Sequence, residues 1–434
     1  MCEGTTFGYS SFGSGVRFKC PATESGRWAL SLCIIVLVLG AFVVINNYLA
    51  ANFDSMDVFL DAIQRIAITS QFRLRWHRGF TEYSIFTIFE IVLLDADIGK
   101  PECLLPGGWN FKDSYWLQFA VLMLFLTQIW LPCLFKCACE KRKGTHSWAY
   151  IFWNESSVCI SQVHSSIRQS VDILGMMYAG ITKLAFDSFS CRDLSGGSYM
   201  VDDPNFPCNT PEHLSTQAFS VFVIVFYVIG YPAVMGYLLF SKQQKCEIHQ
   251  KKMLATLGTL YDRYEPPFMW WEAWRTAQMS ILVFVQVFWW EDPRMQANLA
   301  LILFFCSFIS HVVNKPYASD TLDLLDTISL AFNCMWVLLG INFYMPSGSG
   351  GFYVGDDSTS EVIICILGLL SSVVIAVIYS VLTVFSHESR ALISSKMACL
   401  SSVAVVLLFT SSLLLSLRSW TCEKRSTLRG HAES

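Results

Sequence analysis

Apolar residues in this chain gather into long blocks separated by shorter polar intervals that hold most of the charge. The blocks run over 28–51, 81–97, 114–136, 169–190, 217–240, 272–290, 296–313, 323–345, 361–386 and 392–417. Most match the roughly 20 residues that a helix needs to cross a hydrocarbon core about 30 Å thick. The pattern predicts an all-α fold: a polytopic helical membrane protein with nine or ten transmembrane helices. Two blocks are weak, since 81–97 is short and holds Glu90, and 169–190 holds Asp172, Lys183 and Asp187. The expected organisation is a short extracytoplasmic Cys-containing segment over 1–26, a multi-pass domain over 27–417 and a short polar tail over 418–434. The first block, Trp28–Ala51, is too long and too far from the start for a cleaved signal and reads as a retained span.

Composition agrees with that reading. Of 434 residues, 53% are hydrophobic and only 15% are charged, and the mean hydropathy is +0.45, which lies outside the usual soluble range. The lipid bilayer is therefore the expected partner. A net charge of −4 leaves no footprint for nucleic acid.

Basic residues orient the spans. Intervals 52–80 (Arg65, Arg73, Arg75, Arg78), 137–168 (Lys141, Arg142, Lys143, Arg168) and 241–269 (Lys242, Lys245, Lys251, Lys252, Arg263) fall on one side if the N-terminus is outside. The intervals 98–113, 191–216, 291–295 and 346–360 hold few basic residues and are expected outside. Arg418, Lys424, Arg425 and Arg429 break the pattern in a ten-span chain. Either one weak block does not cross, or the last pair forms a re-entrant hairpin.

This orientation sorts the 16 cysteines. Cys2, Cys20, Cys103, Cys191 and Cys208 become extracytoplasmic, where disulfides persist. Cys191 and Cys208 bracket a loop between two helices, and a bridge there would contribute roughly 3 kcal/mol. Cys2 with Cys20 is a weaker pair. Cys133, Cys137 and Cys139 lie at a cytoplasmic helix end, as palmitoylation sites or as ordinary juxtamembrane thiols. The sequon at Asn154 falls in the cytoplasm and is expected to stay bare. Extracytoplasmic cysteines favour the plasma membrane, and an internal organelle fits equally well.

Metal and enzyme chemistry find little support. The cysteines show no C-x-x-C spacing, and no phosphate loop, H-E-x-x-H or nucleophile elbow is present. The chain is expected not to be an enzyme and to need no cofactor. Charges in the apolar blocks are more informative, because each is costly at the bilayer centre and normally faces protein or water. Glu90, Asp95 and Asp97 form either an acidic vestibule for cations or an interfacial helix end with one buried carboxyl group. Lys183 and Asp187, spaced i,i+4, suit an intrahelical pair or the lining of a hydrated cavity. His311, Asp323 and Asp326 surround a short turn expected to be a solvated charged hairpin, with Lys315, Arg263 or Lys251 as partners. Gly230-Tyr-Pro232 is a place where one span could break.

The richest segment is Leu257–Arg275, which sets Tyr261, Tyr264, Phe268, Trp270, Trp271 and Trp274 among charges just before an apolar block. Trp and Tyr favour the membrane interface. Pro266-Pro267 prevents a continuous helix from Leu257, so the chain should run along the inner leaflet and then turn sharply. Trp270, Trp271, Glu272 and Arg275 become candidates for a gating or anchoring collar.

Four stretches in order carry a family resemblance: Val58–Trp76; Leu94-Asp-Ala-Asp-Ile-Gly-Lys-Pro-Glu-Cys103; Phe189 through Cys208 and His213 to Tyr227-Val-Ile-Gly-Tyr-Pro232; and the aromatic segment followed by His311-Val-Val-Asn-Lys-Pro-Tyr317 and Leu322-Asp-Leu-Leu-Asp326. Over roughly residues 20–345 the chain resembles the C-terminal multi-pass module of protist and algal surface proteins with EGF-like or ephrin-receptor-like cysteine-rich repeats. That module is loosely grouped with transient receptor potential-like (polycystin-like) membrane proteins. His77 stands where the family usually has Pro, and Arg275-Thr276 where it often has Arg-Lys. The resemblance implies a cation channel or a channel-related sensor, with cations as partners and a homo-oligomer as one assembly. The alternatives are a non-conducting anchor or receptor module, and a small-molecule or lipid transporter.

Overall fold

The computed structural model describes residues 9–12, 16–19, 54–74, 110–143, 158–194, 197–244 and 251–344. These form α1 (Asp54–Ser70), α2 (Phe111–Lys143), α3 (Val158–Met176), α4 (Tyr178–Asp187), α5 (Pro211–Val223), α6 (Gly230–Gln244), α7 (Lys251–Tyr261), α8 (Trp271–Phe288), α9 (Pro293–Asn314) and α10 (Asp320–Tyr344). Two antiparallel strand pairs accompany them, β1 (Tyr9–Phe12) with β2 (Val16–Lys19) and β3 (Cys191–Leu194) with β4 (Gly197–Met200).

Local chemistry fixes several helix ends. Thr210 caps α5 by accepting from the His213 N–H at 3.3 Å, with Pro211 next and Glu212 in the first turn. Asp292 caps α9 through the N–H groups of Arg294 and Met295, both at 3.1 Å, again with Pro following. A side-chain oxygen satisfies donors that the helix leaves open, and Pro at the first position has no donor to lose. α9 stops where Lys315 turns left-handed at φ 44°.

The helices run between two ends of one bundle. The hairpin end collects β3–β4 with Phe111, Tyr115, Met200, Phe206 and Cys208. The corner end collects Tyr264, Trp271, Tyr317, Leu322 and Leu325. From the hairpin end α2 runs to the corner end, α3–α4 return, α5–α6 run back, α8 returns, and α9 and α10 repeat the cycle. α1 lies among them: Val58 packs at the corner end, and the Arg73 guanidinium beyond its other end sits 4.6 Å over the Trp290 ring.

Among the described residues, four helices are long and apolar enough to cross a membrane: Phe111–Cys139, Pro211–Gln243, Pro293–Asn314 and Asp320–Leu338. Their exposed faces carry Leu134, Phe226, Tyr237, Ile302 and Val313, as lipid contact requires. α1 and α4 face protein instead, and α8 buries one face while Ile281, Phe284 and Phe288 stay exposed on the other. All ten residues of α4 are buried, and the joint core of α1, α4, α8, α9 and α10 includes Ile68, Phe72, Tyr178, Val283, Ala300 and Val337. A helix surrounded by protein has no need of an all-round apolar surface, so its polar residues do not argue against its place.

Between α5 and α6 the backbone widens into a π turn, Ile224–Ile229. Pro232 has no N–H to offer the carbonyl four residues earlier. That carbonyl, on Val228, instead accepts from the Tyr178 hydroxyl at 2.5 Å. Tyr227 and Tyr231 in turn donate to the Leu174 and Val171 carbonyls of α3 at 2.5 and 3.0 Å. The Gly-Tyr-Pro element thus distorts its span without breaking it.

The structure corrects two expectations. The interval 52–80 is not a basic loop on one side, because α1 fills much of it as a buried helix and its two ends lie at opposite ends of the bundle. Block 169–190 is not one continuous helix but the end of α3 followed, after a turn at Met177, by α4; the pair runs from the corner end to the hairpin end, although it falls outside the candidate spans picked by length and hydropathy. Four candidate spans are seen among the described residues. Blocks 28–51, 81–97, 361–386 and 392–417, with Glu90, Asp95 and Asp97, lie outside those residues.

Candidate functional site

The corner end is built by a tight crossing of two turns. The Glu265 N–H donates to Pro316 O at 2.9 Å, and the Ala318 N–H donates to Arg263 O at 3.0 Å. Tyr264 and Tyr317 are thereby bridged, with ring centroids 4.9 Å apart. Pro266-Pro267 then starts a single 3-10 turn, Pro266–Phe268, before α8 begins. The sharp turn expected from the two prolines is present.

That crossing closes over a buried network of charge. Glu272 accepts from Arg263 at 3.1 Å, from the Tyr264 hydroxyl at 2.6 Å and from Arg275 at 3.4 Å. Arg275 also donates to the Tyr264 oxygen at 3.0 Å and to Asp61 of α1. Asp61 lies 3.6 Å from Arg65, and Arg65 lies 3.7 Å from Asp326 of α10. Asp326 in turn stands 3.5 Å from His311 Nδ1, while His311 Nε2 meets the Asp323 carbonyl at 3.1 Å. Asp323 accepts from the Tyr317 N–H at 3.1 Å. The network ties α1, α8, α9 and α10 to both turns.

Burial sets its energetics. Arg65 and Arg275 are 4% exposed, and His311 and Asp326 are 1% exposed. Charges removed from water on this scale are held only by one another, and deleting one partner strands the rest. Burial likewise pushes the Tyr264 and Tyr317 hydroxyls above the ordinary tyrosine range, against the opposing pull of Arg275. Both stay protonated, so Tyr264 can donate to Glu272 while accepting from Arg275.

A cavity of about 420 Å³ opens beside the network, lined among others by Asp61 of α1, Arg168 and Asp172 of α3, Tyr231 of α6, Asp262 after α7, and Glu272 of α8. Its size suits a small molecule or a cluster of waters. A Cβ on Gly175 would stand 3.3 Å from the Tyr231 hydroxyl, so the glycine lets this tyrosine reach the wall.

The expected residues divide. Glu272 and Arg275 are core members of the network, and Trp271 is buried beneath the corner, 6.0 Å from Phe268 and 6.4 Å from His311 between ring centroids. Trp270 is 39% exposed and Trp274 is 37% exposed, so these two face outward. His311, Asp323 and Asp326 do not form a solvated hairpin: the crossing turns and α1 enclose them, and Arg65 and Tyr317 are their partners among the described side chains. Asp61, Arg65, Tyr264 and Tyr317 were not singled out by pattern. The i,i+4 pair Asp61–Arg65 within an amphipathic run was the available signal.

At the hairpin end Cys191 and Cys208 are bonded, with Cα atoms 6.4 Å apart. Buried His213 accepts from the Asn209 N–H at its Nδ1 and presents Nε2 3.8 Å from the Cys191 sulfur. Two cysteine thiolates and a histidine nitrogen could hold a zinc ion, but sulfurs joined to each other have no thiolate to offer. Lys183 pairs with Asp187 one turn on, at 3.0 Å, and with Asp202 of the loop, also at 3.0 Å. Set against family models, curated proteins and solved structures, the chain finds no match in any of the three.

Proposed function

We propose that this chain is a multi-pass integral membrane protein whose corner-end network senses a signal and passes it to a cation pathway of transient receptor potential-like kind. The observation that carries the reading is the cavity, whose walls are shared by α1, α3, α6, α7 and α8 and include members of the ion-pair network. A ligand or ion that competes for Glu272, Asp61 or Arg275 changes the contacts holding α8 to α1, and a helix shift follows from that difference in binding. In this reading the corner end faces the cytoplasm and the membrane is the plasma membrane or that of an internal organelle. Glu90, Asp95 and Asp97 are the proposed cation-facing groups, in a single chain or a homo-oligomer.

The competing reading is a non-conducting anchor, favoured by the mutual pairing of the network charges. Purified protein in planar bilayers separates the two. The channel-linked reading expects unitary cation currents, changed at least about tenfold in open probability by Glu272→Gln, since one lost charged hydrogen bond is worth roughly 1.5–3 kcal/mol. Silent bilayers from folded protein leave the anchor reading.

A further inference from the structure

A second cysteine pair stands at the corner end of α2. Cys137 and Cys159 are bonded, with Cα atoms 4.6 Å apart, joining the end of α2 to the first turn of α3. Buried Cys133 packs beside them with Trp130 and Val163.

The placement of the two bonds is the informative fact. Cys208 packs with Phe111 at the start of α2, and the Phe111 N–H donates to Asp203 of the same loop at 2.9 Å. At about 1.5 Å per residue, α2 runs roughly 39 Å from Phe111 to Cys137. That exceeds the roughly 30 Å of a hydrocarbon core, and α2 is one of the candidate spans. The two disulfides therefore stand at opposite ends of one candidate span, and if α2 crosses they lie toward opposite faces of the bilayer. Most membranes divide an oxidising space from a cytosol that keeps thiols reduced, so a single redox environment does not explain both bonds.

Charge assigns the sides. Near the Cys191–Cys208 loop stand the basic residues Lys112 and Arg192, whereas Lys136, Lys141, Arg142, Lys143 and Arg168 belong to the segments that carry Cys137 and Cys159. By the positive-inside rule the second pair faces the cytosol.

We propose that Cys137 and Cys159 are a reversible redox modification site on the cytosolic face, exchanging with a low-molecular-weight disulfide of the oxidised-glutathione class. The thiolate of Cys137, the more exposed of the two at 6% against 0%, attacks one sulfur of that disulfide. One glutathione leaves as thiolate, and a mixed disulfide remains on Cys137. The Cys159 thiolate then attacks the Cys137 sulfur and expels the second glutathione. Two protein thiols are oxidised to one disulfide, the small disulfide is reduced to two thiols, and the two protons released by the cysteines end on the leaving thiolates. The site reaches the cavity through α3, which supplies Arg168 and Asp172 to its wall and whose His164 hydrogen-bonds Thr256 of α7 at 2.6 Å. Oxidation pins the start of α3 to α2, and reduction releases it.

The proposal rests on the cytosolic orientation of the corner end and not on conduction. The test uses the full chain in sealed inside-out and right-side-out vesicles. Each preparation is equilibrated with glutathione buffers of varied reduced-to-oxidised ratio and quenched with maleimide, and its linked peptides are quantified by mass spectrometry. In inside-out vesicles the Cys137–Cys159 peptide should rise at least about tenfold between the reducing and oxidising buffers, as expected of a poised dithiol, while the Cys191–Cys208 peptide stays constant. Cys159→Ser should remove the first peptide and keep the second, which also reports that the variant folds. A Cys137–Cys159 bond that ignores the buffer, two thiols free at every ratio, or a response confined to right-side-out vesicles would each overturn the proposal. The bilayer currents are read separately, so failure here leaves the channel reading untouched.

Discussion

The two ends of the bundle are held by different physics. At the hairpin end a covalent bond closes the loop Cys191–Cys208, two strands pair across it, and one buried lysine is matched by two nearby carboxylates. At the corner end Arg65, Arg263 and Arg275 meet Asp61, Glu272, Asp323 and Asp326 around His311, with a cavity at their side. Covalent closure fixes a geometry once. A buried ion network holds its geometry only while every partner stays in place, and its gain is nearly offset by desolvation. An end held in this second way can respond to a bound ligand, which is why the proposed sensing is placed there.

The comparison breaks first at Arg275. Arg275→Ala strands Glu272 and Asp61 together, and its expected destabilisation is about 3–5 kcal/mol, read by thermal unfolding in detergent micelles against the parent. A loss below about 1 kcal/mol would show that the corner end is hydrated like an ordinary surface. Next comes Cys208→Ser, which should destabilise by roughly 3 kcal/mol through the reopened loop, seen in the same assay and mimicked by reductant on the Cys159→Ser variant, which lacks the other described bond. At the π turn, Tyr178→Phe should lose about 1 kcal/mol, because the Val228 carbonyl loses its donor. Adding Pro232→Ala should recover part of that loss, since an N–H returns to the same carbonyl. At the bottom of the scale, Trp270→Ala should change stability by less than about 0.5 kcal/mol, although its neighbour Trp271 is buried. An equal response at both tryptophans would merge the rim with the core.

Much of the apolar architecture was legible from hydrophobic blocks, because α2, α5–α6, α9 and α10 are long, expose apolar faces suited to lipid, and show this in their sequences. α1, α4 and α8 were harder. They pack largely against other helices, so Arg65 and Lys183 sit in segments that hydropathy alone reads as a loop and a weak span, whereas Arg275 stands near the start of a block that it reads as an ordinary span. The aromatic segment disclosed its turn through Pro266-Pro267 and two network members in Glu272 and Arg275. Its remaining partners come from far along the chain: Asp61 and Arg65 precede them by some 200 residues, and nothing local marks Asp326 as facing Arg65. The His311–Asp326 hairpin looked solvated because charge clusters near turns normally are. The crossing of Tyr264 with Tyr317 is what seals it, and that is a tertiary event. Cys137 and Cys159 were hidden in the same way, since Cys159 drew no notice until α3 folded back along α2.

The most direct test of the corner-end account is a double-mutant cycle on Asp61 and Arg275, using Asp61→Asn, Arg275→Gln and both together, with unfolding free energy as the readout. The account predicts that the double variant loses at least about 2 kcal/mol less than the two single losses combined, because Arg275 is buried and Asp61, on the cavity wall, is its ion-pair partner from α1. Losses that add to within about 0.5 kcal/mol would contradict it, and would show that α1 and α8 are held together without the ion pair.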